Sequence, residues 1–175
     1  MKFVFPNIDY EHKAIEYIQE FYDNSSAING TGGLDRYLEK ATYKDWLLKV
    51  EADRDIANIP IDRVPAYTYF YVRKDDNKII GMINIRLALN DFLRKEGGHI
   101  GYCIRPTERR KGYGTRMLSE AMKFIGPIGL SRIILTCDKE NLASAGVIKK
   151  CGGILDDEFY SDVFNAVVQR YQIIS

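Results

Sequence analysis

The apolar positions of this chain change period twice. Over residues 9–22 they fall at Ala14, Ile15, Ile18, Phe21 and Tyr22, the spacing of an amphipathic helix, with Asp9 placed to cap its start. Residues 24–33 hold three glycines and no period, which predicts a loop. Leu34, Tyr37, Leu38 and Ala41, then Trp46, Leu47 and Val50, predict one or two helices reaching Asp53. An irregular linker, 59–65, follows. The texture then turns aromatic and β-branched. Residues 66–73 (AYTYFYVR) predict a strand, 75–77 a turn, 78–89 its hairpin partner, and 99–105 a third strand stopped by Pro106. Residues 2–5 alternate weakly and fit a short edge strand, and 91–98 is a polar connection.

Helical spacing returns at Tyr113, Met117, Leu118, Ala121, Met122 and Ile125, and Gly126 with Pro127 is expected to end that helix. Residues 132–137 (RIILTC) are nearly all apolar and predict a strand at a sheet centre. A short helix over 141–150 closes at Gly152 and Gly153, and 154–160 with 163–173 predict a final antiparallel pair. Helices first, then a meander, then a strand–helix–strand unit define an α+β class. No repeat, low-complexity tract or boundary interrupts residues 1–175, so one domain is expected.

Composition narrows the class further. The chain has 175 residues, 46% hydrophobic and 28% charged. Folding at this size buries roughly 68–70% of the unfolded surface, so neither disulfide nor metal staples are required. Lys+Arg number 25 and Asp+Glu 24. That balance argues against a general nucleic-acid or anionic-membrane binder. Cys103, Cys137 and Cys151 are odd in number and form no Cys-x-x-Cys, which fits reduced thiols, a cytoplasmic location and no metal site. The Met1–Asn7 start is too short for a secretion signal, and no apolar run reaches the roughly 18 residues of a membrane span. Lys2 in place of Gly and the ending Ile173-Ile174-Ser175 predict no common lipid anchor. The sequons at Asn24 and Asn29 read as chance without such a signal.

The chemistry concentrates in residues 101–118, GYCIRPTERRKGYGTRML. A strand ends at Pro106, three cations follow (Arg109, Arg110, Lys111), then Gly112, Gly114, the hydroxyl of Thr115 and a helix. Unpaired N–H groups at a helix start attract phosphate. Glycines let an oxygen approach the main chain, and cations add charge-assisted contacts. A Walker A loop is excluded by the missing Gly-Lys-Ser/Thr, and a dinucleotide fingerprint by Met117 at its third glycine. A Cys/His or Ser/His/Asp enzyme has little to build on, with only His12 and His99 and no Gly-x-Ser-x-Gly.

Arg109-Arg110-Lys111-Gly112-Tyr113-Gly114 resembles the Arg/Gln-x-x-Gly-x-Gly/Ala signature of the GNAT family of N-acetyltransferases. The context matches as well: the strand ending Ile104-Arg105-Pro106, the apolar strand, and Asn141-x-x-Ser144 opening a helix closed by two glycines. The match is specific over about 98–153, and the element order is compatible over the whole chain. The resemblance implies a twisted, mostly antiparallel mixed sheet of about six to seven strands with about four helices, splayed between the fourth and fifth strands. It implies acetyl-CoA as cosubstrate in that gap. The diphosphate would be held by the backbone of Arg109, Arg110, Lys111, Gly112, Tyr113 and Gly114 and by Thr115, and the pantetheine arm would pair along the strand ending at Ile104. The Ile104 backbone N–H would polarise the thioester carbonyl. Asn141 would contact pantetheine or a water, with Ser144 one turn later on the same face.

The implied reaction is direct attack of a primary amine, on a small molecule or a protein, on the thioester carbon. Two family positions differ here. Many members carry a Tyr acid where this chain has Ile148, and one branch carries a Glu base where it has Gly98. A thiol of pKa about 8.5 can leave unaided. His99 and Tyr102 are candidate proton-transfer groups, with strand packing as the alternative for both. Glu96 and Asp91 are either amine-binding carboxylates or solvated loop charges. Two readings stand beside the enzyme: a CoA-binding sensor without turnover, and a nucleotide-phosphate binder with an atypical loop. Residues 24–33, 53–65 and 156–165 would choose the acceptor, and the last strands offer an edge for a homodimer.

Overall fold

The computed structural model describes residues 1–126 and 129–174. Its strands are β1 Lys2–Val4, β2 Ala66–Val72, β3 Ile79–Arg86, β4 Ile100–Ile104, β5 Arg132–Asp138, β6 Ile154–Ser161 and β7 Ala166–Ile174. Its α-helices are α1 Glu11–Asp23, α2 Leu34–Lys40, α3 Tyr43–Ala52, α4 Tyr113–Ile125 and α5 Leu142–Lys150. Two hydrogen-bonded sheets result, in the orders β1-β2-β3-β4 and β5-β7-β6. The expected stop of α4 at Pro127 lies outside the described residues. The chain divides into two compact units: Met1–Leu87 with Gly101–Tyr113, and Ala88–Ile100 with Gly114–Ser175.

In the first unit the α1 stripe of Ala14, Tyr17, Ile18 and Phe21 joins Leu34, three α3 residues (Tyr43, Trp46, Val50), and Phe70, Val72, Ile79, Met82 and Cys103 of the sheet in one core. β3 is buried along Ile79–Ile85, explaining its unalternated apolar run. The region left as one or two helices is two, because Thr42 and Asp45 form a capping box that starts α3 afresh. Asp9 is not the α1 cap. Asn7 caps a short 3₁₀ turn through the Asp9 N–H, and α1 begins only at Glu11.

In the second unit α4 buries Met117, Leu118, Ala121 and Ile125, and α5 buries Ala145 and Ile148. β5 alternates, with Ile133, Leu135 and Cys137 inward. Its expected place at a sheet centre is corrected: β7 is central in this sheet and β5 flanks it. The apolar run arises because Ile134 on the other face is also half-buried.

Cys103 lies inside the first core, where the Tyr17 hydroxyl contacts its sulfur and donates to its carbonyl, both at 3.1 Å. Burial pushes its thiol from 9.0 up to about 11. A raised folded value means the neutral thiol stabilises the fold fully below pH 9.0, and that stability fades as pH rises toward about 11. Urea melts of Cys103→Ala at pH 8 and pH 11 should therefore show a smaller alkaline loss of stability than wild-type melts.

Candidate anion-binding loop and the residues around it

The loop after β4 is fastened before it reaches its cations. Arg105 is 1% exposed. Its N–H donates to the Ile80 carbonyl at 2.8 Å and its Nε to the Ile79 carbonyl at 2.9 Å. Nη1 donates to Glu16 Oε1 at 2.8 Å and Glu20 Oε2 at 2.9 Å, crossing to α1. This hydrogen bonding, ahead of charge attraction, holds the Glu16 carboxyl below its usual range. The other Glu20 oxygen accepts from the Thr107 N–H and hydroxyl at 3.0 and 2.8 Å. No local pattern marks Arg105 as more than a strand end, because its partners lie 89 and 85 positions away in the chain.

Strand alternation orients the end of β4. The Arg105 N–H faces β3, so the Ile104 N–H and C=O point to the opposite edge. Arg109 Nε confirms this for the carbonyl, donating to it at 3.1 Å. β4 is also the last strand of its sheet. Its outer edge therefore suits an added extended chain. Tyr102 and Ile104 are both half-buried. Gly30 (φ +68) abuts the strand so closely that a Cβ would lie 2.2 Å from the Gly101 carbonyl oxygen.

The three cations divide. Arg109 is engaged: besides Ile104, its Nη2 donates to Ser26 Oγ at 2.7 Å and its guanidinium stacks over Phe21 at 5.4 Å. Lys111 donates to Glu108 Oε2 at 2.9 Å. Glu108 is buried, and hydrogen bonds from Lys111 and then Arg73 hold its carboxyl low. Arg110 is exposed and takes a left-handed φ of +61. Gly112 follows at φ +79 with open space where a Cβ would stand. Left-handed turns next to a helix start present main-chain N–H groups to an anion. Tyr113 then begins α4, and Gly114 and Thr115 continue its first turn. These residues fit a diphosphate chiefly through main chain, with less free cationic charge than the run of three suggests.

In the second unit Asn141 caps α5, its Oδ1 accepting the Ser144 N–H at 3.0 Å. The Ser144 hydroxyl bonds to Cys137, whose thiol burial pushes up. Cys151 Sγ donates to the Thr115 carbonyl at 3.5 Å. His99 is buried, and its Nδ1 accepts the Ile134 N–H at 2.9 Å while its own N–H donates to the Ile134 carbonyl at 2.7 Å. That ring nitrogen is therefore engaged with the β5 main chain. Ile148 is fully buried against Gly153. Gly98 is not a strand residue: at φ +64 its Cβ would meet the Ile134 carbonyl oxygen at 2.6 Å, so no side chain fits. Glu96 is buried, correcting its reading as a solvated loop charge. Among the described residues no cluster of three or more His, Cys, Asp or Glu could hold a metal, and no helix is long and apolar enough to cross a membrane.

The Acetyltransferase (GNAT) domain family matches residues 15–154. No curated protein matches the sequence. Among solved structures, the ribosomal alpha-N-protein acetyltransferase RimL in complex with coenzyme A superposes with a TM-score of 0.70 at 14% identity, covering 98% of this chain and 92% of that one. The microcin self-immunity acetyltransferase MccE, in complex with acetyl-CoA and AMP, gives 0.68 at 17%, covering 99% and 91%. A putative ribosomal-protein-serine acetyltransferase from Vibrio cholerae gives 0.63 at 17%, covering 99% and 92%.

Gly98→Ala is expected to destabilise the protein by more than the ~1–2 kcal/mol of a left-handed residue alone, because the clash with Ile134 adds to it. Gly112→Ala should cost only about that amount, since its Cβ meets nothing. Chemical denaturation of the two variants checks the ordering.

Proposed function

The chain belongs to the GNAT acetyltransferase family, and on that premise we propose that it transfers the acetyl group of acetyl-CoA to a primary amine in a ternary complex. The observation that carries the reading is the loop of Arg109, Arg110, Lys111, Gly112, Tyr113 and Gly114. It joins β4, the last strand of its sheet, to a helix start, with two left-handed residues and open space at Gly112. The thioester supplies the activated acetyl group. The main chain of the loop and the first turn of α4, with Thr115, donate to the diphosphate. The outward Ile104 N–H donates to the acetyl carbonyl, where negative charge develops during attack. Asn141 orders the start of α5 and keeps its amide nitrogen for the pantetheine arm or a water. Arg109 acts mainly by holding the Ile104 carbonyl and the Ser26 hydroxyl in place.

The attacking amine must lose a proton and the leaving thiolate gain one. His99 is one candidate for that step, with its Nδ1 engaged by the Ile134 main chain. Tyr102 remains the alternative donor on β4. The buried Ile148 favours a second reading, a CoA-binding module without turnover, and acetylation of any amine at an appreciable rate excludes it.

Acetyl-CoA at about 100 times its Kd should add about 2.7 kcal/mol of stability and raise Tm by roughly 5–10 °C. Gly112→Asp, which sets a carboxylate beside the diphosphate, should abolish that rise. A wild-type protein that shows no rise at millimolar acetyl-CoA refutes the proposal. Binding of ATP or GTP that CoA fails to displace would point instead to a nucleotide site.

A further inference from the structure

Arg109 is held at three points, all of them neutral: Nε donates to the Ile104 carbonyl at 3.1 Å, Nη2 donates to Ser26 Oγ at 2.7 Å, and the guanidinium lies over the Phe21 ring at 5.4 Å. The neighbouring cations are spent differently. Arg105 meets Glu16 and Glu20, Arg73 meets Asp76 and Glu108, and Lys111 meets Glu108. Arg109 rests instead on a carbonyl, a hydroxyl and a ring, and it is exposed.

Holding a long exposed side chain in one geometry costs rotamer freedom. Every contact between an arginine and an anion carries that cost, and here it has been met before an anion arrives. The guanidinium is a rigid plane of N–H donors. Fixing Nε and Nη2 therefore fixes the direction of the donors that remain, those of Nη1 included. A charge-assisted bond from one of them to an anion is roughly twice as strong as a neutral hydrogen bond.

The hydroxyl that does the holding is itself firmly placed. Ser25, at a left-handed φ of +47, turns the chain out of α1, and the Ser26 N–H donates back to the Phe21 carbonyl at 2.9 Å. Phe21 is fully buried in the core. Further on, the Asn29 N–H bonds to the Cys103 thiol and Gly30 abuts Gly101. The Gly32 carbonyl accepts from Trp46 Nε1 at 3.2 Å and from Lys49 Nζ at 2.9 Å. Residues 26–32 thus form a strap along β4, anchored on α1 and α3, and Arg109 links it to the candidate anion-binding loop.

We infer that Ser26 is a positioning residue for anion binding: its hydroxyl, with the Ile104 carbonyl, sets the Arg109 guanidinium so that a remaining N–H donates to the diphosphate of the cofactor. This rests on the acetyl-CoA reading above and adds to it a residue 83 positions from Arg109 in the chain. It also couples two regions. Whatever steadies Ser26 favours the bound diphosphate, and the bound diphosphate steadies Ser26 in return.

The test measures the Kd for CoA by titration calorimetry, with unliganded melting in parallel. The proteins are wild type, Ser26→Ala, Ser26→Thr, Arg109→Met and the Ser26→Ala/Arg109→Met double variant. Methionine keeps an apolar stem over Phe21 and removes the guanidinium. Ser26→Ala should raise the Kd on the order of 10-fold. Ser26→Thr, which restores a hydroxyl, should bind nearly as tightly as wild type. In the Arg109→Met background, Ser26→Ala should change the Kd by less than about twofold, because the serine acts through the arginine. An unchanged Kd in Ser26→Ala overturns the inference and leaves the acetyl-CoA reading standing. Equal losses from Ser26→Ala in both backgrounds, with a lower unliganded Tm, also overturn it, since they mark a serine that only holds the strap. So does a Ser26→Thr variant that binds no better than Ser26→Ala. A wild type that binds no CoA overturns the acetyl-CoA reading, and the inference with it.

Discussion

A single buried guanidinium organises the first unit. Arg105 has exchanged water for two β3 carbonyl contacts, one of them through its own N–H, and for two carboxylates on α1. A buried cation is tolerated only when its donors are met, and removing a partner leaves an uncompensated charge costing about 3–5 kcal/mol. The consequence is positional. The end of β4, the turn at Pro106 and the helix α1 are tied at one point, and the loop leaves from it in a set direction. Glu20 extends the tie by taking the Thr107 N–H and hydroxyl.

The loop beyond that point illustrates how charge and backbone share a task. Three adjacent cations would repel one another in a free loop. Here Glu108 neutralises Lys111, and Arg109 is drawn to a carbonyl, a hydroxyl and a ring face. What remains for an anion is mainly the oriented main chain and a helix start, which need no side-chain reorganisation to act.

Close backbone contact is the recurring constraint. Gly30 lies against β4 and Gly98 against β5, each at positive φ and each leaving no room for a Cβ. In the second unit this approach delivers Glu96 to a buried position with one oxygen unmet. Gly98 is therefore a steric requirement of its turn.

Much of the architecture was legible before any coordinates. Helix and strand periods placed α1, α3, α4, β2, β3 and β7 to within a few residues, because such periods are local and each element buries one face. The candidate loop was legible for the same reason: its cations, glycines and helix start are contiguous in residues 109–115. What only the folded chain decided is who meets whom. Arg105 finds Glu16 across 89 positions, and Thr136 finds the Glu96 carbonyl across 40. No local pattern encodes such pairings, so the burial of Glu96, the engagement of His99 and the flanking place of β5 emerged only from packing. Sequence by itself thus determined most of the elements and the run of cations and glycines after β4, whereas tertiary structure decided which charges are used up internally and which oxygen is left unpaired, because satisfaction of a polar group depends on neighbours that the chain brings from far away.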